Sequence, residues 1–313
     1  MSSTPTIRIG TRGSALALAQ TQTIANALAA KTGATIEIIT VSTHGDRSTE
    51  SLSTIGGTGV FASALREALL RGECDVVVHS LKDLPTDAYP GLSIAAMPKR
   101  ADARDALCAS DGLTLDTLAV GARVGTGSPR RAAQLLARRP DLEVVDIRGN
   151  VDTRLGKIGE GALAAVVLAA AGLDRLGRAE TVTEYLSIDG WPTAPGQGAL
   201  ALEVRTGEEK LVSSLDHKPT RTIVDAERAV LAILEAGCAA PIAAHGVIDD
   251  GLLFLTATVY RPDGTERITA SHAAYVADSP TPGLDVAGRV AAELLANGAA
   301  DLAPLGPDSS SSL

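Results

Sequence analysis

The residues of this chain best placed to do chemistry are arginines. Two stretches hold them, Val124-Gly-Thr-Gly-Ser-Pro-Arg-Arg131 and Asp146-Ile-Arg-Gly-Asn-Val-Asp-Thr-Arg154. From Arg123 to Lys157 stand eight basic residues (Arg123, Arg130, Arg131, Arg138, Arg139, Arg148, Arg154, Lys157) against four acidic ones (Asp141, Glu143, Asp146, Asp152). Eight minus four is a local excess of +4, in a chain of net charge −9. Guanidinium is planar and always charged, and it grips a carboxylate or phosphate through two parallel hydrogen bonds. Such a cluster reads as a site for a small molecule with several anionic groups. A single arginine would be read as part of a solvated helix face. Arg138 and Arg139 are read that way, because they close a predicted helix just before Pro140, where cations suit the helix C-terminus.

Two further residues carry chemical interest. In Val78-His-Ser-Leu-Lys-Asp-Leu-Pro85, Lys82 and Asp83 follow an apolar strand. They therefore sit at its carboxyl end, where open α/β sheets place ligands. Taken alone, the pair reads as an ordinary surface loop. Beside bound carboxylates and arginines, an acid there can donate protons or stabilise a cation. Cys238 lies in Glu235-Ala-Gly-Cys-Ala-Ala-Pro-Ile242, where Gly237 fits the left-handed residue that ends a helix. That loop setting makes it the candidate reactive thiol. Cys74 and Cys108 read as small buried hydrophobes.

Two strand-turn-helix units position these groups. The first runs from Ile7-Arg-Ile through Gly10-Thr-Arg-Gly-Ser14 into an Ala/Leu-rich helix ending near Lys31. The second runs from a strand near Val120 to Val124 through Gly125-Thr-Gly-Ser128 into a helix with Pro129 at its first position. Ser14 and Ser128 are predicted N-caps, and each turn offers an anion the N–H groups and dipole of a helix start. The spacing also predicts a helix over 59–70 and strands over 75–79, 141–147 and 164–168, the last two each followed by a helix. That alternation means a mostly parallel sheet. From about Thr220 a helix (224–235), two alternating segments (252–260 and 268–275) and a final helix (284–296) predict a small α+β domain. Thr193-Ala-Pro-Gly-Gln-Gly-Ala-Leu200 reads as a crossover between domains.

Composition excludes several classes. Aromatics make up 2% of the chain and the pI is near 5.1. The first argues against single-strand stacking platforms and the second against duplex DNA, so no nucleic-acid partner is expected. Three cysteines with no CxxC pair, and no signal peptide, indicate a cytoplasmic protein without structural disulfides. The five histidines have no metal-ligand spacing, so no metal is expected. The longest apolar run, 161–173, is too short for a bilayer, so no membrane partner is expected. It reads as a buried strand and the start of the next helix. Gly56-Gly-Thr-Gly59 lacks the Gly-Lys-Ser/Thr of a P-loop, and Gly125-Thr-Gly127 lacks the third glycine of a dinucleotide fingerprint.

Together these segments resemble the porphobilinogen deaminase (hydroxymethylbilane synthase) family. The matching pieces are Arg8-Ile-Gly-Thr-Arg-Gly-Ser14, His79-Ser-Leu-Lys-Asp83, Gly125-Thr-Gly-Ser-Pro-Arg-Arg131, Asp146-Ile-Arg-Gly-Asn-Val-Asp-Thr-Arg154, Ala170-Ala-Gly-Leu-Asp-Arg-Leu176, Pro195-Gly-Gln-Gly198 and Gly237-Cys238. They occur in the family's order. The resemblance implies an α/β fold of two periplasmic-binding-protein-like domains with mostly parallel sheets around a cleft, plus a small α+β C-terminal domain. The implied boundaries are 1–99 with 200–218, 100–199 and 219–303; the tail, 304–313, carries no match and reads as disordered from its Pro- and Ser-rich composition.

The resemblance also implies a transferase that joins four porphobilinogen units head to tail, with loss of ammonia, into hydroxymethylbilane, in tetrapyrrole and heme biosynthesis. Each unit passes through a reactive azafulvene-type cation. A dipyrromethane cofactor is held through a thioether to Cys238, and Asp83 is the catalytic residue. Lys82, Thr126, Ser128, Arg130, Arg131 and Arg148 are implied for the cofactor, and Arg12, Ser14, Arg154, Arg175, Phe61 and Gln197 for the substrate. The enzyme is read as a monomer. One departure stands out: Thr58 and Ser63 occupy positions where the family often has lysines. Two other readings compete with this one, a non-catalytic anion-binding module of the same two-domain layout and an enzyme of phosphate esters or nucleotides.

Overall fold

The computed structural model describes residues 5–41, 60–236 and 240–305, without the side chains of Val60 and Phe61. The expectations for Gly56–Gly59, Thr58, Gly237, Cys238 and positions 306–313, and for the Phe61 side chain, lie outside the described residues. The chain divides into two compact units. One comprises the described residues up to Ala101 together with Gly198–Arg221, and the other runs over Asp102–Gln197 and from Thr222 onward.

In the first unit the strands are β1 (Thr6–Arg12), β2 (Thr35–Val41), β3 (Val76–Ser80), β4 (Leu92–Ala96) and, returning late in the chain, β10 (Leu200–Arg205). They form one sheet in the order β2-β1-β3-β10-β4. β1 pairs parallel with β2 and β3, whereas β10 runs antiparallel to β3 and β4. Helices α1 (Ala15–Thr32) and α2 (Val60–Leu70) complete it. Burial on both faces explains why the β3 sequence is an unbroken apolar run. Val76 and Val78 join Ile24 and Leu28 of α1 in one core, while Val77 joins Leu65 and Leu69 of α2 in another.

The second unit repeats the plan. Its strands are β5 (Asp105–Ala109), β6 (Arg123–Thr126), β7 (Glu143–Asp146), β8 (Ala165–Ala169) and β9 (Glu184–Leu186), in the order β7-β6-β8-β5-β9. β6 pairs parallel with β7 and β8, and β5 runs antiparallel to β8 and β9. β5 here and β10 in the first unit are thus equivalent reversed strands in otherwise parallel sheets. Each is the first strand made after the chain changes units. Helices α3 (Pro129–Arg138), α4 (Val151–Gly159) and α5 (Ala170–Arg175) follow β6, β7 and β8. The 161–173 run divides between β8 and α5, as its length required.

The same unit contains α6 (Lys218–Ile233) from Thr222 onward, an antiparallel sheet of β11 (Ile242–Asp249), β12 (Leu252–Tyr260) and β13 (Arg267–Tyr275), and helices α7 (Pro282–Ala296) and α8 (Ala299–Leu302). Asp250-Gly251 joins β11 to β12 with φ of 44° and 77°, the paired positive angles of a two-residue hairpin turn. Leu253, Leu255, Ala257 and Val259 alternate inward against Val286, Val290 and Leu294 of α7.

Several boundaries differ from expectation. β6 begins at Arg123, because Val120 lies in a turn and is 84% exposed. α6 ends at Ile233, and the positive φ after it falls on Glu235, at 48°. Strands β2, β4, β5, β9, β10 and β11 were not anticipated; β4, β5 and β9 are short, and β5 and β10 are held by partners far along the chain.

The loop between β12 and β13 fastens the C-terminal sheet to α3. Gly264 has φ +76°, and a Cβ there would meet the Ala137 nitrogen at 2.5 Å and the Ala133 carbonyl oxygen at 2.6 Å. Helix backbone cannot give way as a side-chain tip can. Gly264→Ala is therefore expected to cost about 1–3 kcal/mol, lowering the calorimetric Tm by roughly 2–8 °C. Gly251→Ala, where nothing lies within 4 Å, is expected to cost less, from its positive φ alone.

Candidate active site

In the first unit, Lys82 and Asp83 stand on a single 3₁₀ turn, Leu81–Asp83, directly after β3. The turn is pinned at both ends. Leu81 is fully buried and its N–H donates to the Ala199 carbonyl (3.1 Å), while Leu84 is buried and its N–H donates to the Leu81 carbonyl (3.1 Å). Between these anchors Asp83 is exposed and Lys82 half-buried. Behind the turn, the Glu203 carboxylate of β10 takes the Arg66 guanidinium at 2.9 Å and lies 3.2 Å from His79 Nε2, all three being buried. Burial would raise the Glu203 carboxyl, but His79 and Arg66 hold it below the ordinary value. The segment that carries Asp83 thus rests on a rigid ionic base.

Arg12 closes β1, and Ser14 caps α1, accepting the Ala17 N–H at 3.3 Å. Gln20 Nε2 donates to Ser80 Oγ (3.1 Å) and ties α1 to the end of β3. Ser63 is exposed on α2.

In the second unit the β6–α3 turn has the expected form. Ser128 Oγ accepts the Arg131 N–H (3.4 Å), and Thr126 Oγ1 accepts the Ser128 N–H (3.2 Å). A Cβ on Gly127 would lie 2.6 Å from the Ile147 carbonyl oxygen, so only glycine allows the turn to press against the chain after β7.

The arginines that follow are inside the protein. Arg130 is 4% exposed and Arg131 5%, and both end on one fully buried carboxylate, Asp105, at the start of β5. Asp105 Oδ1 accepts from Arg131 Nε (3.0 Å), Arg131 Nη2 (2.6 Å) and Gln197 Nε2 (2.8 Å). Its Oδ2 accepts from Arg130 Nη1 (2.8 Å) and from the indole N–H of Trp191 (2.9 Å). Burial alone would push the Asp105 carboxyl up, but the two guanidiniums hold it far below the usual carboxylate range. It stays ionised and has no proton to give.

The two arginines differ in what they have left. Arg131 also donates through Nη1 to the Val167 carbonyl (3.1 Å), so every one of its nitrogens ends on protein. Arg130 spends Nη1 on Asp105, on Gln134 Oε1 (2.7 Å) and on the Pro192 carbonyl (3.2 Å), while its buried Nε has no partner. Gln134 in turn donates to the Tyr260 hydroxyl (3.1 Å), linking α3 to β12. Two buried guanidiniums against one carboxylate leave one positive charge uncompensated. The donor set fits a ligand that brings its own carboxylate.

Arg148, Arg154 and Arg175 are half-buried to part-exposed and follow β7, start α4 and end α5. The Arg148 guanidinium lies 3.7 Å from Asp146, and Arg154 Nε donates to the Gly149 carbonyl (2.9 Å). Burial lowers the pKa of Arg175. The other cations of the run leave the site. Arg123 pairs with Glu143 (3.1 Å) and Arg138 with Asp116 (3.0 Å). Arg139 is not a solvated cation. It clamps Asp141 (2.6 Å) and donates to the Leu115 and Leu118 carbonyls, serving the loop before β6.

Gln197 is fully buried and donates to the Ala103 carbonyl (2.8 Å) as well as to Asp105, which makes it part of the same network. Asp105, Gln134 and Trp191 were not anticipated. The one available signal was Asp105 itself, a carboxylate set directly before the apolar Ala106-Leu-Cys-Ala109. Cys74 and Cys108 are buried, and burial pushes the Cys74 thiol up to about 11 and raises Cys108. Among the described residues, no group of His, Cys, Asp or Glu is placed to hold a metal, and no helix is long and apolar enough to cross a membrane.

Known proteins supply the context. Residues 7–213 match the family model described as porphobilinogen deaminase, dipyromethane cofactor binding domain, and residues 222–296 match porphobilinogen deaminase, C-terminal domain. A porphobilinogen deaminase of Leifsonia xyli subsp. xyli is 63% identical over 96% of this chain and 94% of its own length. That of Thermobifida fusca is 50% identical over 90% and 89%, and that of Mycobacterium bovis 49% identical over 95% and 98%. Among solved structures, the methionine-binding protein MetQ is similar with a TM-score of 0.45 and 13% identity, over 72% of this chain and 93% of that one. The two family models between them account for both the arginine-bearing sheets and the C-terminal sheet, and this chain belongs to the porphobilinogen deaminase family.

Proposed function

We propose that this protein is a hydroxymethylbilane synthase. It is a cytoplasmic, monomeric transferase that joins four porphobilinogen units head to tail, releasing ammonia at each addition, on a dipyrromethane primer bound through a thioether to Cys238. The observation that carries the reading, within a chain of this family, is the charge imbalance around Asp105. A buried site with one positive charge in excess, and an unpartnered Arg130 Nε, suits a ligand whose pyrroles bear carboxylates.

In this reading the chain's own groups divide the work. Arg130 and Arg148 take primer carboxylates, Arg131 steadies the site from behind, and the Thr126 and Ser128 hydroxyls, which accept backbone N–H groups, donate their own hydrogens. Lys82 adds a point charge. Arg12, Arg154 and Arg175 take the acetate and propionate groups of porphobilinogen, with Ser14, Phe61 and Gln197 lining or supporting that site. When bound, the dipyrromethane supplies a free pyrrole α-carbon as nucleophile. Asp83, held on its pinned turn, stabilises the positive charge that develops as the amine leaves and serves as the acid toward it. Preorganised charge of this kind commonly contributes more to rate acceleration than any other single effect.

Turnover is read as loss of colour with Ehrlich's reagent, which detects pyrroles with a free α-position: four porphobilinogens carry four of them and the linear tetrapyrrole one. A non-catalytic anion-binding protein turns over no porphobilinogen and sinks the reading. Asp83→Asn is expected to lower turnover by about 10²-fold or more while the fold and the primer persist. Unchanged turnover in that variant removes Asp83 from its role.

The primer assignment is checked by counting thiols. Cys74 and Cys108 are buried, with thiol pKa values raised, so the native protein is expected to react slowly with a disulfide reagent at pH 8. In denaturant two of the three cysteines should titrate, because Cys238 is already alkylated. The denatured chain should also be heavier than its sequence by a dipyrromethane, and Cys238→Ser should lose that mass. Three titratable thiols at unmodified mass in active enzyme overturn the assignment.

A further inference from the structure

Asp105 cannot act as an acid, since the two guanidiniums hold it ionised and five donors occupy its two oxygens. It also does not neutralise its surroundings, because two guanidiniums share its one charge. A group introduced only for stability would more simply be replaced, together with one arginine, by apolar residues of similar volume. What the arrangement does is orient. Arg130 is held through Nη1, by Asp105 Oδ2, Gln134 Oε1 and the Pro192 carbonyl, while its Nε, buried with the rest of the side chain, has no hydrogen-bond partner. Arg131, locked on the same carboxylate through Nε and Nη2, stops Asp105 from following Arg130. Trp191 and Gln197 close the remaining acceptor positions, so Asp105 has one geometry available.

We infer that Asp105, with Gln134, is the positioning residue of Arg130, holding that guanidinium in the orientation that receives a ligand carboxylate before any ligand arrives. The inference rests on the assignment of Arg130 to the primer's carboxylates. It places outside the run of basic residues the group that makes one member of the run competent. It also divides the pair, with Arg130 the binding member and Arg131 part of its mount.

The test separates position from stability. Asp105→Asn leaves two buried cations without a counter-charge and is expected to lower both Tm and turnover. Asp105→Asn/Arg131→Gln removes one charge of each sign and leaves Arg130 as the one buried cation of the site, so part of the Tm loss should be recovered. Turnover and the fraction of chains carrying the dipyrromethane mass should remain low by about 10²-fold, the cost of misplacing a binding group by an ångström. Gln134→Met supplies a variant with unaltered charge. At a Tm near that of the wild type, its primer loading or kcat/KM should fall by at least about tenfold, since Nη1 loses an acceptor. Wild-type loading and turnover in either variant overturn the inference. Wild-type protein run in parallel must form product. If it does not, the functional reading itself fails, which is a different outcome from active variants beside an active wild type.

Discussion

The second unit is organised around one carboxylate that holds two guanidiniums in its interior. Two like charges about 4 Å apart repel by roughly 4 kcal/mol at the effective dielectric of a protein, and breaking a buried ion pair costs about 3–5 kcal/mol. Against a total stability of order 5–15 kcal/mol, Asp105 is therefore something the unit cannot lose cheaply. Its donors come from α3, from the segment that leads out of β9 and from the last residue before the chain returns to the first unit. The β5 start, α3 and the Trp191–Gln197 segment are each oriented by what they must deliver to it. A second buried carboxylate, Glu227 of α6, accepts the Gly196 N–H (2.7 Å) and the Gly246 N–H (2.8 Å), fixing the same segment to β11.

The parallel sheets bring the remaining groups to useful places for a topological reason. Side chains just past the carboxyl end of a strand lie where ligands meet an open α/β sheet. Arg12 ends β1, and Asp83, Ser128, Arg148 and the α5 start follow β3, β6, β7 and β8, each strand running parallel to a neighbour within its own sheet. The reversed strands β5 and β10 contribute differently. Their interior carboxylates, Asp105 and Glu203, each bind a buried arginine from a neighbouring helix. One plan, repeated in both sheets, places exposed chemistry at strand ends and ionic support on the strand that runs the other way.

Much of this was legible in residue order. The Gly-rich turns, their serine caps and Pro129 mark two helix starts because capping is local, satisfied within three residues. β3 and β8 were legible because burial on both faces leaves an unbroken apolar run. β12 and β13 were legible because burial on one face leaves alternation. β5, β9 and β10 were not, since a strand of three to six residues is held by partners tens of residues away. Arg139 was misjudged for the same reason. Its place at a helix end suits a solvated cation, and only the folded chain brings the Leu115 and Leu118 carbonyls to it.

What the amino-acid sequence determined by itself was a chemical inventory and its local mounts. It set a local excess of guanidinium in an acidic chain, an acid just after a buried strand, and glycine-rich turns capped by serine. Tertiary structure decided which arginines are spent and which are kept. Arg130 meets Asp105 across 25 residues, and Trp191 and Gln197 meet it across 86 and 92. Charge pairing in a buried site depends on distance in space and on the loss of competing water, and neither is written in spacing along the chain. The sequence alone thus showed two adjacent arginines of equal standing, and folding gave every Arg131 nitrogen a protein acceptor while leaving the buried Arg130 Nε without one.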